Sequence, residues 1–289
     1  LFLKTIGYEQ EEVIGQPMSV FLSPESQEAM STAYGFVLRG ERVEGERQLV
    51  TRDGSLVDVF LQSQSELDEE GNYSGTRATF MDITARKSLE TQLTHQAFHD
   101  PLTGLPNRML FANRLEHALA RAARNADDVS LLFIDLDGFK VINDSLGHGV
   151  GDTLLMTVAE KLATSVRSID TIARFGGDEF IVLLEECDLE CAADTAGRIA
   201  RRMSVPFDLD GHTITVTASI GIACKRSPLD TASDLIRNAD VAMYVAKQRG
   251  KSQFAIFDAG MHQRAWKRLE LESDLRVAIE RNEFRVHYQ

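Results

Sequence analysis

The 289-residue sequence contains no run of 18 apolar residues, so it offers no helix to a membrane. Basic residues are outnumbered, with 31 Lys and Arg against 44 Asp and Glu and a formal charge of −13. Binding to a nucleic-acid backbone by counterion release needs clustered Lys and Arg, which this composition argues against. A nucleotide held through metal ions stays compatible with it. Cysteine is scarce as well. Cys187, Cys191 and Cys224 show no zinc-binding spacing, and an odd number without a secretory signal predicts reduced thiols in a cytoplasmic protein. No initiator Met is present: the chain opens on Leu1-Phe2-Leu3 and stops at His287-Tyr288-Gln289 inside a strand-like stretch. It therefore reads as a piece of a larger protein, whose other segments could supply a membrane attachment.

The length exceeds one domain of about 100–200 residues and predicts two domains plus partial elements. The most informative stretch is Ala173-Arg174-Phe175-Gly176-Gly177-Asp178-Glu179-Phe180, a sharp turn between a short strand and the apolar run Phe180 to Leu184. Gly176 and Gly177 support the positive backbone angles of a tight hairpin and let a polyanion approach the main chain. Asp178 and Glu179 at its lip would meet that polyanion only through a cation. Upstream, Val129 to Asp135 reads as a buried strand ending in an acid. Asp135 and Asp178 make a hard-oxygen pair of the kind Mg²⁺ uses alongside water and substrate phosphates.

Phe111, Leu115, Leu119 and Ala122 mark the apolar face of one helix, and Leu155, Val158, Leu162 and Val166 that of a second. Thr213 to Ala223 alternates as a strand with one buried side, after a turn at Asp210-Gly211. The expected fold is α+β: a mainly antiparallel sheet with helices on both faces, resembling the palm-like βαββαβ core of nucleotide cyclases and polymerases.

Residues 99–258 resemble the GGDEF domain of diguanylate cyclases. The resemblance rests on Asp100-Pro101-Leu102-Thr103-Gly104-Leu105-Pro106-Asn107-Arg108, Asp135-Leu136-Asp137-Gly138-Phe139-Lys140, Asn143-Asp144, Gly147-His148, Gly151-Asp152 and the Gly-Gly-Asp-Glu-Phe turn. It implies an enzyme that joins two GTP into cyclic di-GMP with loss of pyrophosphate, using two Mg²⁺ or Mn²⁺ ions per site. Asp135 and Asp178 are then the metal ligands with the Leu136 backbone alongside, and Asp178 is the proton acceptor. Glu179 either faces metal-bound water or accepts hydrogen bonds from the turn. Asn143 and Asp152 address guanine, since an amide pairs with donors and acceptors and a carboxylate accepts from N–H groups; an N-terminal helix cap is the other reading of Asp152.

Lys247 and Lys251, four apart at the end of a helix expected over 238–249, face one polyanion; Lys140 is either a further phosphate contact or, by default, a solvated lysine. The family more often has Arg-Asn where this chain has Lys251-Ser252, which keeps the point charge but loses the bidentate fork. Arg167 and Asp170 stand at the spacing of the family's product-inhibition site for cyclic di-GMP, although such a pair is by itself an ordinary surface ion pair. The alternative to an active cyclase is a silent GTP-binding regulator of a phosphodiesterase domain in a longer protein.

Residues 1–83 resemble the later part of a PAS sensor domain, with its first strands missing and its ligand unknown. The matching features are Gly7-Tyr8-Glu9-Gln10-Glu11-Glu12-Val13-Ile14-Gly15, a hairpin at Thr51-Arg52-Asp53-Gly54-Ser55, a turn at Gly71-Asn72 and the exit Met81-Asp82-Ile83-Thr84. Residues 84–98 read as a polar connector helix with Leu89 and Leu93 on one face, either a solvated connector or, as the domain order favours, a homodimer-forming lever. After Asp258 a charged helix with Leu269, Leu275 and Ile279 leads to Asn282-Glu283-Phe284-Arg285-Val286-His287-Tyr288-Gln289. Residues 259–289 thus resemble the helix and opening strand of an EAL phosphodiesterase domain.

Overall fold

The computed structural model describes residues 2–39, 41–70, 73–209, 212–227, 229–281 and 283–285. The chain divides into two compact units, Leu1–His95 and Gln96–Gln289. The turns expected at Gly71-Asn72 and Asp210-Gly211, the side chain of Leu269, and residues 282 and 286–289 of the expected final strand lie outside the described residues.

The first unit runs α1 (Phe2–Ile6), α2 (Gln10–Val13), a 3₁₀ turn (Met18–Phe21), α3 (Pro24–Leu38), β1 (Val43–Val50), β2 (Leu56–Leu67) and β3 (Tyr73–Asp82). Ser23 caps α3, with Pro24 pre-set for the first helical position. The strands form an antiparallel sheet in the order β1-β2-β3. The expected loop between β1 and β2 closes through Thr51 N–H to the Ser55 carbonyl at 2.9 Å. Asp53 Oδ1 accepts from Ser55 N and Oγ within it, and these bonds with that from Thr51 Oγ1 hold the carboxyl down to about 2. Ile6, Phe21, Leu22, Leu49 and Val59 are buried between the helices and the sheet.

At the exit of β3, Asp82 Oδ1 accepts from Thr84 N at 2.9 Å. There α4 (Thr84–Phe98) begins, over the residues the sequence predicts. It carries no buried residue, and Leu89 and Leu93 are 60% and 64% exposed.

The second unit runs α5 (Arg108–Asn125), β4 (Val129–Asp137), α6 (Phe139–Leu146), α7 (His148–Ala163), β5 (Thr171–Gly176), β6 (Glu179–Glu185), α8 (Leu189–Met203), β7 (Phe207–Leu209), β8 (His212–Ile214), β9 (Thr217–Cys224), α9 (Ala232–Gln248), β10 (Phe254–Ile256) and α10 (Gly260–Glu280). Its five-stranded sheet has the order β10-β9-β4-β6-β5. All pairs are antiparallel except β10 with β9. β4 lies at the centre and is buried from Val129 to Leu136, because its alternate residues meet two different cores. Leu132, Ile134 and Leu136 pack with Leu154, Leu155 and Val158 of α7 and with α8. Leu131 and Phe133 pack on the other face with Phe111 and Leu115 of α5 and with α9. Each such side chain taken fully from water contributes about 1.5–3 kcal/mol.

Three expectations need correction. The stretch from Thr213 to Ala223 is not one half-buried strand: it breaks at Thr215-Val216 into β8 of a small hairpin and β9 of the main sheet, and β9 is buried on both faces because α8 and α9 cover it. Val166 lies beyond the end of α7. Cys187 and Cys191 form a disulfide rather than two reduced thiols. The cause is local: Asp188 caps α8 by accepting from Cys191 N at 2.9 Å, and this first turn brings the two Cα atoms to 5.5 Å. Cys224 is a free thiol.

Candidate active site

The site is assembled where β4 ends beside the turn joining β5 to β6. Asp135 stands directly opposite Glu179 in the β4–β6 register. Leu136 N–H donates to the Asp178 carbonyl at 3.3 Å, which draws the turn onto the strand end. Gly176 and Gly177 adopt φ of 142° and 52°, so the turn needs the freedom of glycine. Asp135, Asp178 and Glu179 therefore converge, as the sequence predicts, from two adjacent strands.

The turn is held by residues to which the sequence assigns no role. Arg174 Nε and Nη2 donate to the Gly177 carbonyl at 3.0 and 2.8 Å. Its Nη1 donates to both Asp100 oxygens at 2.9 and 3.1 Å. Asp100 also accepts from Thr103 N and Oγ1 at 2.9 and 2.7 Å. The Asp100-Pro101-Leu102-Thr103 segment thus braces the Gly176–Glu179 turn through one guanidinium. A register shift after Arg174 turns Phe175 onto Phe111 and Phe133, ring centroids 5.5 and 5.7 Å away, and anchors the turn's other side. Burial pushes the Asp100 carboxyl up, but its bonds to Thr103 and Arg174 prevail and lower it below its ordinary value.

Asp135 is 6% exposed, and its Oδ2 lies 2.6 Å from Lys247 Nζ. Burial raises its carboxyl, the Lys247 bond opposes this, and the Asp178 charge adds to the rise. Glu179 is raised by burial and then by Asp135, Asp240 and Asp178. Asp240 on α9 is a further acid of the site that the sequence reading did not single out.

Asp137, by contrast, is fully engaged: it accepts from Thr217 Oγ1 at 2.7 Å, Ser219 Oγ at 2.8 Å and Ser252 N at 3.0 Å. Its role is to tie β4 to β9 and to the segment carrying Lys251. Lys251 and Ser252 have φ of 63° and 50°, left-handed values that cost side-chain-bearing residues about 1–2 kcal/mol and mark stored strain.

A cleft of about 160 Å³ is lined by Asp135, Leu136, Phe139, Lys140, Asp178, Lys247 and Lys251 among others. Lys247 and Lys251 share it although Lys251 lies beyond α9 and not on one helical face with Lys247. Asn143 stands one turn further along α6, off this cleft. A Cβ on Gly151 would fall 1.8 Å from Asn143 Oδ1, so the glycine is what lets the amide lie against α7. Asn143 Oδ1 is buried with no partner, an acceptor left for a ligand donor. Asp152 is not the N-cap of α7, because the helix already begins at His148.

Arg167 and Asp170 are closed on each other and do not line the cleft. Asp170 accepts from Arg167 N, Nε and Nη2 at 2.8, 3.3 and 3.2 Å. Arg167 Nη2 also reaches the Glu185 carbonyl at 2.7 Å.

The donor set suits a hard divalent cation. Two convergent carboxylates, one buried and paired with a lysine ammonium, sit in an excess of negative charge. No group of three or more His, Cys, Asp or Glu is arranged to hold a metal among the described residues. The other ligands would therefore be water and phosphate oxygens.

Comparison with known proteins identifies the family of the second unit. Residues 97–253, more than half the chain, match the model of the diguanylate cyclase GGDEF domain. The chain belongs to the GGDEF family. Residues 2–85 match a PAS domain model, ahead of the GGDEF domain.

Among curated relatives, the bifunctional diguanylate cyclase/cyclic di-GMP phosphodiesterase MucR of Pseudomonas aeruginosa is 45% identical over 198 residues, covering 68% of this chain and 29% of the relative. The cyclic di-GMP phosphodiesterase PdeR of Escherichia coli is 32% identical over 290 residues, covering 98% of this chain and 43% of the relative. The chain thus spans less than half of either. The solved GGDEF domain of TpbB from Pseudomonas aeruginosa aligns with a TM-score of 0.57 at 39% identity, covering 58% of this chain and 99% of that one. The coiled coil and GGDEF domain of DgcB from Caulobacter crescentus, solved with cyclic di-GMP, aligns with a TM-score of 0.55 at 28% identity, covering 60% and 91%. Among the described residues no helix is long and apolar enough to cross a membrane.

Proposed function

We propose that this chain is an active diguanylate cyclase, condensing two GTP into cyclic di-GMP and two pyrophosphates under the control of its PAS domain. The observation that carries the reading is the convergence of Asp135, Asp178 and Glu179 at the strand ends, with Lys140, Lys247 and Lys251 around the same cleft. Asp135 and Asp178 would hold the catalytic Mg²⁺ or Mn²⁺ ions. When bound, such ions lower the pKa of the attacking 3′-hydroxyl and neutralise charge on the phosphates.

The chain's own residues supply position and charge. Gly176 and Gly177 leave the main chain open to phosphate, and Lys247 and Lys251 take up its negative charge. Lys247 exchanges Asp135 for phosphate as GTP enters. Asn143 and Asp152 hold the guanine edge, and Asp178 receives the 3′-hydroxyl proton. The Arg174 clamp keeps the acids within reach of the reacting atoms.

One GGDEF domain holds one GTP, so two copies meet face to face, and the exposed Leu89 and Leu93 on α4 favour a homodimer through that helix. Opening of the Arg167–Asp170 pair would admit cyclic di-GMP and arrest turnover; DgcB, solved with that nucleotide, supports this reading. Residues 259–289, including α10, we read as the lead into an EAL domain.

Incubating the chain with Mg²⁺ and GTP and separating the products tests the reading. Cyclic di-GMP is expected. GTP bound but unconverted would instead identify a silent regulator.

A further inference from the structure

The first unit contains a cavity of about 580 Å³ between α3 and the inner face of its sheet, in the size range of small-molecule sites. Its walls are mostly apolar: Met18 precedes α3, Met30 and Val37 lie on one face of the helix, and Val43, Leu61 and Phe80 come from the three strands. The register places Gly45, Leu61 and Phe80 in one row across the sheet and Val43, Ser63 and Ala78 in the next. Arg47 is the one charged side chain among the described lining residues.

Its setting is unusual for a guanidinium. Arg47 Nη1 donates to the Glu46 carbonyl at 2.7 Å. Its Nε is buried and has no hydrogen-bond partner. The nearby Glu46 carboxylate is taken by Arg86 and Lys87, and among the described residues no carboxylate pairs with Arg47. A Cβ at Gly45 would lie 3.0 Å from Arg47 Nη1, so the missing side chain two residues back provides the seat over which the guanidinium lies. A buried donor without an acceptor is costly, and a cation on an apolar wall is stabilised most by an anion that brings its own apolar body.

We propose that this cavity binds an apolar molecule carrying a single carboxylate, with the carboxylate on Arg47 and the apolar body between α3 and the β2–β3 face. The proposal names the ligand class of the PAS domain. It rests on the geometry of the first unit alone and holds whether or not the chain converts GTP. Arg47 supplies recognition by charge, and the Met30, Leu61 and Phe80 walls supply most of the burial. The uncharged analogue of such a ligand fits the same space but leaves Nε unpartnered.

The test is calorimetric titration of the full chain with 4-phenylbutanoate and with octanoate, beside 4-phenylbutanol and octanol as uncharged counterparts. Both carboxylates are expected to bind with unit stoichiometry, about ten- to a hundredfold tighter than the alcohols, the range expected for a hydrogen bond to a charged group. Arg47→Gln should remove that preference while the alcohols bind as before, which also shows that the variant is folded. Ala78→Phe, which places a ring in the cavity from β3 and leaves Arg47 in the sequence, should abolish binding of acids and alcohols together. Failure of either carboxylate to bind at millimolar concentration, or an unchanged acid preference in Arg47→Gln, overturns the proposal. Undiminished binding in Ala78→Phe does so too.

Discussion

Replacing Arg174 by Ala removes the brace between the Asp100 segment and the catalytic turn. The lost contacts are two bonds to the Gly177 carbonyl and a two-pronged bond to Asp100, with the two side chains only 11% and 16% exposed. Breaking a fully buried ion pair costs about 3–5 kcal/mol, and a bond to a charged group contributes about 1.5–3. Asp100 keeps its two Thr103 bonds after the change, so the loss falls near the lower figure, about 2–3 kcal/mol. For a unit of this size each kcal/mol lowers Tm by about 2–4 °C, which gives a fall of roughly 4–12 °C in the second unit's transition.

Turnover should drop further than stability implies, because an error of about 1 Å in catalytic position costs on the order of a hundredfold. The fall should appear in kcat more than in KM. The pH dependence supplies an independent reading of the same clamp. The folded Asp100 carboxyl lies below its ordinary 3.8, so its contribution to stability is complete above that pH and disappears as pH falls through the folded value. Asp100→Asn should therefore flatten the acid limb of a melting profile. Wild-type Tm, acid limb and kcat in Arg174→Ala would refute the reasoning.

Gly151→Ala places a methyl 1.8 Å from Asn143 Oδ1; the displaced amide should raise KM for GTP by about tenfold or more, at a contact of about 1–3 kcal/mol, with kcat less affected, as initial rates would show. Arg167→Ala should leave the initial rate near wild type but lengthen the progress curve, and calorimetric titration with cyclic di-GMP should lose its signal. Replacing the exposed Leu89 and Leu93 by Glu should raise the protein concentration needed for activity, read from specific activity across a dilution series.

Fold and site differ in how far they could be read from the sequence. The two-sided core around β4 follows from the apolar run Leu131 to Ile134 behind Val129 and the helical periodicity of Phe111, Leu115 and Leu119, signals confined to single elements. Asp135 and Asp178 were legible for a related reason: each ends or borders a recognisable strand. Arg174 lay inside the best-recognised motif, yet its purpose depends on Asp100, 74 positions away, and no local pattern encodes that distance. Asp137 read as one more acid until Thr217, Ser219 and Ser252 closed around it. The Cys187–Cys191 bond was missed because counting cysteines says nothing about a helix cap that brings two of them together. The helix-cap reading of Asp152 fails because α7 already begins at His148 and runs through Gly149 and Gly151.

The most direct test of the account compares the purified chain with Asp135→Asn and Asp178→Asn in saturating Mg²⁺ and GTP, following cyclic di-GMP by chromatography and folding by thermal melting. The wild-type chain should accumulate cyclic di-GMP. Both variants should lose about a thousandfold or more of that rate while still melting cooperatively, since each removes a hard ligand from the catalytic cations. Product formation by either variant at the wild-type rate would contradict the assignment of the two carboxylates.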